Sequence, residues 1–479
     1  MSAEIARLGG LVGGCGLALL IVSARRDLRV AGLVAWAAGV LMLVQYLAPS
    51  GHHRVLAAAA VVGALAAAAG AWALVRWPWA LAFAALACAP ARIPVHVGST
   101  KANLLLPLYG VVAAAALALA WQLPREEGRS RELGRLAWPL ALFSTWLGSS
   151  LLWSHDLHQG AIDVLFFHLP FGLLAVCVAR LAWDRRMLVA LYAQLTAMAV
   201  VFAAIGVYQY SVRDIFWNPK VIVDNAYAPS SWFYRVNSVF YDPSIYGRFL
   251  VVAILASLVV VMRERAWRIV AGATVALAVV WIGLLPSFSQ SSFAALIVGV
   301  LVAAAISWRW RAAAALGVAA GVVVVAGFAA PQVRHTILGK SGSGLSKATG
   351  GRSKLVSNGL RVALDHPVAG VGVGGFRRAY ADRAGLRGRE PKAAASHNTP
   401  ITVAAEAGVP GLALLAWLLA AALLATLRSP FVARAGLVFG LAITAIAVHS
   451  LFYNALFEDP MFWGLLGLAA VGAREAALE

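Results

Sequence analysis

The stretch DPSIYGRFLVVAILASLVVVMR, Asp242 to Arg263, decides the fold class. From Phe249 to Met262 it contains one serine and otherwise only apolar residues. As a helix, the whole span 243–262 is long enough to cross a hydrocarbon core of about 30 Å. Similar runs recur along the chain, which is 62% hydrophobic and 12% charged. Since soluble domains carry about 25% charged residues, the composition indicates a membrane protein.

The apolar runs predict an all-α polytopic fold of about 13 to 15 transmembrane helices, because they show none of the alternation of a barrel strand. The clearest spans are 8–24, 28–48, 54–75, 103–123, 137–153, 161–182, 187–209, 243–262, 267–286, 291–308, 310–330, 400–426 and 433–457. Two shorter runs, 77–92 and 461–472, would complete the upper count.

Arginines at roughly every second connection predict the orientation, since short basic loops face the cytoplasm. The alternating loops, 154–160, 210–242, 286–291 and 331–398, are then extracytoplasmic. The last one carries 12 Lys/Arg against 3 Asp/Glu, and loops of this length largely escape the orientation rule. Its charge suits either a polyanionic partner, such as a lipid diphosphate, or a solvated surface loop. No nucleic-acid-binding fold accompanies the charge.

Four regions follow from this pattern. We expect N-terminal transmembrane helices of unassigned role in 1–123 and core helices with the outer loop 210–242 in 124–330. The large basic extracytoplasmic loop then covers 331–398, and C-terminal transmembrane helices cover 399–479.

Polar residues gather at helix ends on the predicted outer face. Asp242 and Pro243 suit the N-cap and first position of a helix, and Arg248 lies roughly 8 Å inside it. An arginine at that depth marks a functional site or a buried ion pair. Arg235 precedes the helix within aromatic residues, and the link around Gln290 is a third polar feature. Together with the helix end at Ser396 to Gly411, they predict one extracytoplasmic pocket.

A fourth polar feature is SHNTPITVAAEAGVPG, Ser396 to Gly411. Thr399 and Pro400 suit the N-cap and first position of a helix that enters the membrane from outside. His397 and Asn398 would then stand at a helix N-terminus, where free N–H groups favour anions. Glu406 lies about 9 Å further along, where a carboxylate needs a polar cavity or a cation. The glycines and Pro410 that follow it predict a loosened helix.

The segment before this stretch predicts an amphipathic helix, with Val356, Leu360 and Leu364 on one side, and then the glycine run GVGVGG, 370–375. The run matches the G-x-G-x-x-G dinucleotide fingerprint, but no buried strand precedes it and no βαβ unit surrounds it. We interpret it as a tight turn that lets the backbone pass close to another element. No spacing of histidine, cysteine and carboxylate residues predicts a metal site.

The pattern resembles the O-antigen ligase and polymerase superfamily. His397-Asn398, nine residues, Gly408, two residues and Gly411 match its H-N-x9-G-x-x-G signature, and HPVAGVGVGGF, 366–376, is similar to the segment before its histidine. RVNSVFYDPSIYGR, 235–248, resembles its arginine-bearing outer loop. The resemblance implies a GT-C-type fold in the cytoplasmic (inner) membrane, with the active site on the extracytoplasmic face. It also implies transfer of a glycan from an undecaprenyl-diphosphate carrier, without a metal or other cofactor.

The resemblance further implies residue roles. His397 would be the catalytic base, because imidazole titrates near neutrality. Arg235 and Arg248 would hold the donor diphosphate. The supporting residues would be Asn398, Glu406, Asp242 and Gln290, although Gln290 stands where the family usually has arginine.

We therefore expect an inverting glycosyltransferase whose acceptor is a lipid, a protein or a second carrier-linked glycan. Several local alternatives stay open. Arg248 is otherwise a structural ion-pair partner, with Glu406 as one option, and Asp242 is otherwise only a cap. The alternative class is a lipid-linked glycan flippase or secondary transporter, because broken helices also bind anions there. Transporters usually contain related halves, and no repeat is visible in this sequence.

Overall fold

The computed structural model describes nine stretches of the chain, together with Gly317 and Gly385. The stretches are 2–48, 53–97, 100–125, 132–216, 218–226, 233–308, 352–383, 396–427 and 435–475. Apart from Gly317, the predicted span 310–330 lies outside these residues, and so do six of the 12 Lys/Arg of the loop 331–398.

Helices dominate the described residues, as the composition predicts. The first nine are α1 (Ser2–Val22), α2 (Arg26–Leu47), α3 (His53–Arg76), α4 (Ala80–Cys88), α5 (Leu106–Gln122), α6 (Ala137–Ser149), α7 (Leu157–Asp163), α8 (Leu169–Ala179) and α9 (Arg185–Val212). The others are α10 (Pro219–Ala226), α11 (Pro243–Arg263), α12 (Trp267–Leu284), α13 (Gln290–Trp308), α14 (Arg352–Asp365), α15 (Phe376–Arg383), α16 (Thr399–Leu427), α17 (Ala435–Ser450) and α18 (Pro460–Glu475).

The membrane character of these helices is confirmed by length and composition. Within the described residues, nine helical segments are long and apolar enough to cross a bilayer, and three shorter apolar segments accompany them. The protein is thus an all-α polytopic membrane protein. The expected span 77–92 is wrong: its helix α4 has only nine residues, a rise of about 13 Å that cannot cross the membrane.

Two short strands after α4 are an unexpected feature. β1 (Ile93–Val97) pairs antiparallel with β2 (Thr100–Leu104), with Val95 opposite Ala102. The strands occupy the connection that leads into α5. Residues 103–104, predicted as the start of a span, therefore belong to the hairpin, and the helix begins at Leu106.

The helices pack into two apolar cores. The first core joins residues of α1, α2, α5, α6, α8, α16 and α18, whereas the second joins residues of α9, α11, α12, α13 and α17. The N-terminal helices α1 and α5 pack against α6 and α8, which in turn pack against α16 and α18. A buried cluster reinforces this packing, because Glu132 accepts from Arg29 and Arg180, each at 2.5 Å.

The predicted loosening of α16 is confirmed as a break at Gly408, which has φ +67° and ψ −171°. The break frees backbone carbonyls that would otherwise bond within the helix. Val371 N donates to the Ala405 carbonyl at 2.8 Å, and Gly372 N donates to the Glu406 carbonyl at 2.8 Å. The glycine turn therefore closes the break in α16.

The glycine turn is packed as tightly as its sequence predicts. Gly370, Gly372 and Gly374 all have positive φ, and a Cβ on Gly372 would lie 2.3 Å from the Ser154 Cα. On the other side of the turn, Trp153 Nε1 donates to the Ala369 carbonyl at 3.0 Å. Side chains larger than hydrogen cannot fit at these three positions. The glycines therefore permit both the close packing of the turn and its left-handed backbone.

The predicted amphipathic helix forms as α14, but the side that is buried is not the predicted side with Leu360 and Leu364. Leu360 and Leu364 are 50% and 68% exposed, whereas Val362 and Ala363 are buried with Phe376. The reason is the neighbouring helix α16, which packs against the Gly359 side of α14, where a small residue permits close approach.

Candidate active site

A pocket of about 80 Å³ forms where four separate segments of the chain meet. We call it the His397 pocket. Its lining residues are Val221, Asp224, Arg235, Asp242, Pro243, Ser244, His397 and Tyr453. Three residues singled out in the sequence, Arg235, Asp242 and His397, thus share one wall although they lie far apart along the chain.

His397 is held in the pocket by its two neighbours. Ser396 Oγ donates to the Asn398 carbonyl at 2.6 Å, and Asn398 N donates to Ser396 Oγ at 3.1 Å. These bonds close a small loop over His397, whose backbone adopts φ +56°. A left-handed histidine is uncommon and costs backbone energy, so surrounding contacts must impose it.

The N-cap of α16 is Asn398, and the expectation of Thr399 is wrong. Asn398 Oδ1 accepts from Ile401 N at 2.9 Å, whereas Thr399 already belongs to the helix. Asn398 has a longer side chain than a threonine cap, and its amide also reaches another segment. Nδ2 donates to the Leu451 carbonyl at 3.0 Å. Asn398 thereby connects the His397 segment to the loop that carries Tyr453.

Arg235 is oriented by two contacts with its surroundings. Its backbone exchanges two 2.9 Å hydrogen bonds with the Asn225 side chain of α10. Its Nε donates to the Ser287 carbonyl at 3.1 Å. Among the described residues, this carbonyl is the one acceptor found for the guanidinium, so the Nη groups on the pocket wall can serve an anion.

Asp242 is confirmed as the N-cap of α11. Its Oδ1 accepts from Ser244 N at 2.7 Å, and Pro243 occupies the first turn. The side chain also lines the His397 pocket, so the capping role and a place in the wall coexist. Asp224 adds a second carboxylate to the wall from the exposed face of α10.

Arg248 lies behind the pocket rather than in its wall. Its Nε is 2.9 Å from Asp459 Oδ2, and the two side chains are 1% and 4% exposed. Arg248 Nη1 also donates to the Ala455 carbonyl at 3.3 Å. The partner in the ion pair is therefore Asp459, and the option of Glu406 is wrong.

Glu406 and Gln290 also lie outside the pocket wall. Glu406 Oε1 accepts from Phe376 N at 3.2 Å, so the carboxylate fixes the end of the glycine turn. Gln290 is exposed at the first position of α13. The link before it still contributes to the site, because its Ser287 carbonyl holds Arg235.

A serine and histidine cluster supports the pocket from below. Ser289 Oγ lies 2.7 Å from Ser292 Oγ and 3.0 Å from Ser291 Oγ. Ser291 Oγ lies 2.9 Å from His449 Nε2, which is 3.1 Å from the carbonyl of the pocket residue Ser244. The cluster therefore connects α13 and α17 to the first turn of α11.

Tyr453 was missed because the apolar run 433–457 predicts a continuous span. Helix α17 ends at Ser450, and residues 451–459 form a loop that contributes Tyr453 to the pocket. Burial, together with the charges of Asp242 and Glu458, raises the pKa of the Tyr453 phenol, so it stays protonated at neutral pH. The acidic pair Glu458-Asp459 was the sequence signal for a loop.

Arg92 fixes the far end of this loop. Its Nη1 bonds to Glu458 Oε2 at 2.6 Å, and its Nη2 donates to the Glu458 carbonyl at 2.6 Å. Burial opposes the charge of the Arg92 guanidinium, but the Glu458 carboxylate and its neighbours raise the pKa of Arg92, so the guanidinium stays charged. Arg92 thus links the N-terminal region to the loop that carries Tyr453 of the pocket.

Four non-glycine residues of the described chain have positive φ, namely Arg213, Ser238, Phe288 and His397. Ser238 lies in the segment of Arg235 itself, and Phe288 follows Ser287, whose carbonyl accepts from Arg235. Arg213 stacks on Tyr234 with its Cζ 5.1 Å from the ring centroid. Backbone strain of this kind gathers at functional sites. The residues with positive φ thus lie at or close to Arg235 and His397, which line the pocket.

Comparison with known proteins gives one family. The family model described as O-antigen ligase matches residues 275–416, a region that contains the serine cluster, the glycine turn and His397. No curated protein matches the chain. The match supports the resemblance found in the sequence, while Arg235, Asp242 and Tyr453 lie outside the matched region.

Proposed function

We propose that this member of the O-antigen ligase and polymerase superfamily transfers a glycan from a polyprenyl-diphosphate carrier to an acceptor hydroxyl in the His397 pocket. One observation carries the proposal: His397 and Arg235 line the same pocket. A titratable imidazole and a forked cation are the groups that such a transfer requires.

In the proposed reaction, His397 accepts the proton of the acceptor hydroxyl as its oxygen attacks the anomeric carbon. The bond between that carbon and the diphosphate oxygen breaks, and its electron pair leaves with the lipid diphosphate. Attack from the side opposite to the leaving group inverts the anomeric configuration. Arg235 compensates the negative charge that develops on the leaving group, through charge-assisted hydrogen bonds.

The remaining wall residues suit the sugar rather than the diphosphate. Asp224 and Asp242 would repel an anion but accept hydrogen bonds from sugar hydroxyls. The Tyr453 phenol can both donate and accept. The pocket is smaller than the 300–1,000 Å³ or so of typical ligand sites, so it would enclose only the reacting groups. The glycan would extend from it over the outer loops.

We assign Arg248 to positioning, because its Nε pairs with Asp459 and its Nη1 donates to the Ala455 carbonyl. Those contacts stabilise the loop 451–459 and hence the position of Tyr453. The charge of Arg248 would reach the donor only through the low dielectric behind the pocket wall.

The test uses the full chain in liposomes that carry a polyprenyl-diphosphate-linked glycan in the leaflet facing the pocket. We expect release of free polyprenyl diphosphate together with a glycan bonded to the acceptor, with inverted anomeric configuration by NMR. Separate acceptors, a lipid and a second carrier-linked glycan, distinguish ligase from polymerase. Movement of the intact donor between leaflets without diphosphate release would favour the transporter instead.

A further inference from the structure

A second, larger cavity lies between α4, α8, α9, α11, α17 and α18. It has a volume of about 310 Å³, and its walls are almost entirely apolar. Leu195 and Leu188 of α9 face Val252 and Val259 of α11 across it. We call it the α9–α11 groove. It shares no lining residue with the His397 pocket.

The groove is about one leaflet deep. Along α11 it runs from Val252 to Arg263, and the helical rise between these two residues is about 16 Å. The hydrocarbon core of a bilayer is about 30 Å thick, so one leaflet accounts for about 15 Å. The depth therefore matches an acyl chain that enters from one face and ends near the middle of the bilayer.

The mouth of the groove is basic. Arg185 at the start of α9 and Arg263 at the end of α11 line it, and both are exposed. Within the described residues, neither arginine forms an ion pair. The carboxylate of Glu264 also lines the mouth, and it accepts from Arg265 N at 2.8 Å, while Asp184 accepts from Met187 N at 2.7 Å. The arginines are thus available to an anion from the bilayer surface.

The deep end of the groove is closed toward the His397 pocket. Pro460 and Met461 line that end, directly after Asp459, and the buried Arg248–Asp459 pair stands one helical turn above Val252. Along α11, this pair lies between Ser244 of the His397 pocket and Val252 of the groove. The occupant must enter from the arginine side.

We propose that the α9–α11 groove binds an acyl chain of an anionic glycerophospholipid from the leaflet opposite the His397 pocket, with its headgroup at Arg185 and Arg263. Charge, depth and the closed end together select this occupant. The lipid would fill the space between the two apolar cores and fix α9 and α18 relative to α11. Its binding does not depend on the glycan-transfer proposal.

The experiment places the full chain in nanodiscs with phosphatidylglycerol that carries a diazirine near the end of one acyl chain. After irradiation, labelled peptides are mapped by mass spectrometry. We expect labelling of residues 188–195 and 252–260, and at least fivefold less from the matched phosphatidylethanolamine probe. Surface arginines contribute roughly fivefold each to anionic-lipid binding, so Arg185→Gln and Arg263→Gln should each lower labelling by about that factor. Arg76→Gln is the control, since Arg76 is an exposed arginine outside the groove.

Gly464 offers a way to fill the groove. A Cβ at Gly464 meets no atom within 4 Å, and Gly464 lines the groove. Gly464→Trp should therefore abolish labelling, with Gly464→Leu as a milder variant that keeps the same test if the larger one fails to fold. Gly272→Trp on α12 is the matched control, because Gly272 is equally open but lies outside the groove.

Three results would overturn the proposal. Equal labelling by the two phospholipid probes would show that the groove does not select an anionic headgroup. Unchanged labelling of the folded Gly464→Leu variant would place the probe elsewhere. Labelling of the same peptides by a polyprenyl diphosphate probe, with none by phosphatidylglycerol, would assign the groove to the carrier.

Discussion

Arg248 and Asp459 form an ion pair of 2.9 Å between Nε and Oδ2, with both side chains almost completely buried. Asp459 also caps α18, since its Oδ1 accepts from Met461 N at 2.9 Å. The pair thus joins the first turns of α11 to the start of α18. The loop 451–459, which directly precedes α18, carries the Tyr453 side chain that lines the His397 pocket.

The first prediction concerns this pair. Arg248→Met leaves a buried carboxylate without its cation and should lower the free energy of unfolding by about 3–5 kcal/mol. Adding Asp459→Asn, which keeps a capping side chain, should recover part of that loss. Unfolding in one detergent measures both variants. Arg7→Met is the control, because the exposed Arg7–Glu4 pair should contribute about 1 kcal/mol or less. A double variant no more stable than the single one would contradict the pairing.

The second prediction concerns His397. His397→Asn should lower glycan transfer about 10²-fold or more, which is the usual contribution of a general base, while donor binding stays close to normal. Asparagine tolerates the positive φ at this position, so the fold should be retained. His366→Ala removes an exposed histidine outside the pocket and serves as the control. Normal transfer by His397→Asn would end the assignment of the base.

The third prediction separates the roles of Arg235 and His397. Arg235→Ala should weaken binding of the carrier-linked donor as well as transfer, because a charge-assisted contact is removed. Arg235→Lys should restore only part of both, since a point charge does not reproduce the forked donor geometry. Equilibrium binding and transfer rates are compared with those of Arg361→Ala, an exposed arginine of α14. Wild-type donor affinity in Arg235→Ala would exclude Arg235 from the diphosphate site.

The fourth prediction tests the glycine turn. Gly372→Ala should prevent stable folding, because its Cβ would lie 2.3 Å from Ser154 Cα in addition to the strain of φ +81°. Gly385→Ala is matched in φ, at +64°, but meets no atom within 4 Å, so it should cost only about 1 kcal/mol. Yield of monodisperse protein and thermal unfolding report both. Equal behaviour of the two variants would mean that packing against Ser154 contributes nothing.

The fifth prediction concerns orientation. A labelling site at Ser343 would fall outside the described residues, so we choose the exposed Ser357 of α14. In a chain whose three cysteines are replaced, Ser357→Cys should react with an impermeant maleimide in spheroplasts. Ala266→Cys, in the exposed turn between α11 and α12, should react only after permeabilisation. The reverse pattern would invert the orientation and place the His397 pocket in the cytoplasm.

The sequence predicts the features that depend on local chemistry. The length of the apolar runs predicts the membrane helices, Asp242-Pro243 predicts the start of α11, and the glycine run 370–375 predicts the tight turn. Contacts between distant segments are different, because no local pattern encodes the partner. Arg248 is recognisable as a buried cation, but its partner Asp459 follows only from packing. Tyr453 is hidden for another reason: residues 451–457 are apolar enough to extend a span, although α17 ends at Ser450.

The bond between Arg92 and Glu458 joins residues 366 positions apart in the chain. Arg92 is therefore synthesised and inserted long before the carboxylate that it holds. Until the loop 451–459 reaches the membrane, Arg248 and Arg92 both lack their acidic partners, and the His397 pocket lacks Tyr453. The order of biosynthesis thus makes completion of the pocket one of the last steps in assembly, so a nascent chain halted before this loop has the histidine but an incomplete pocket.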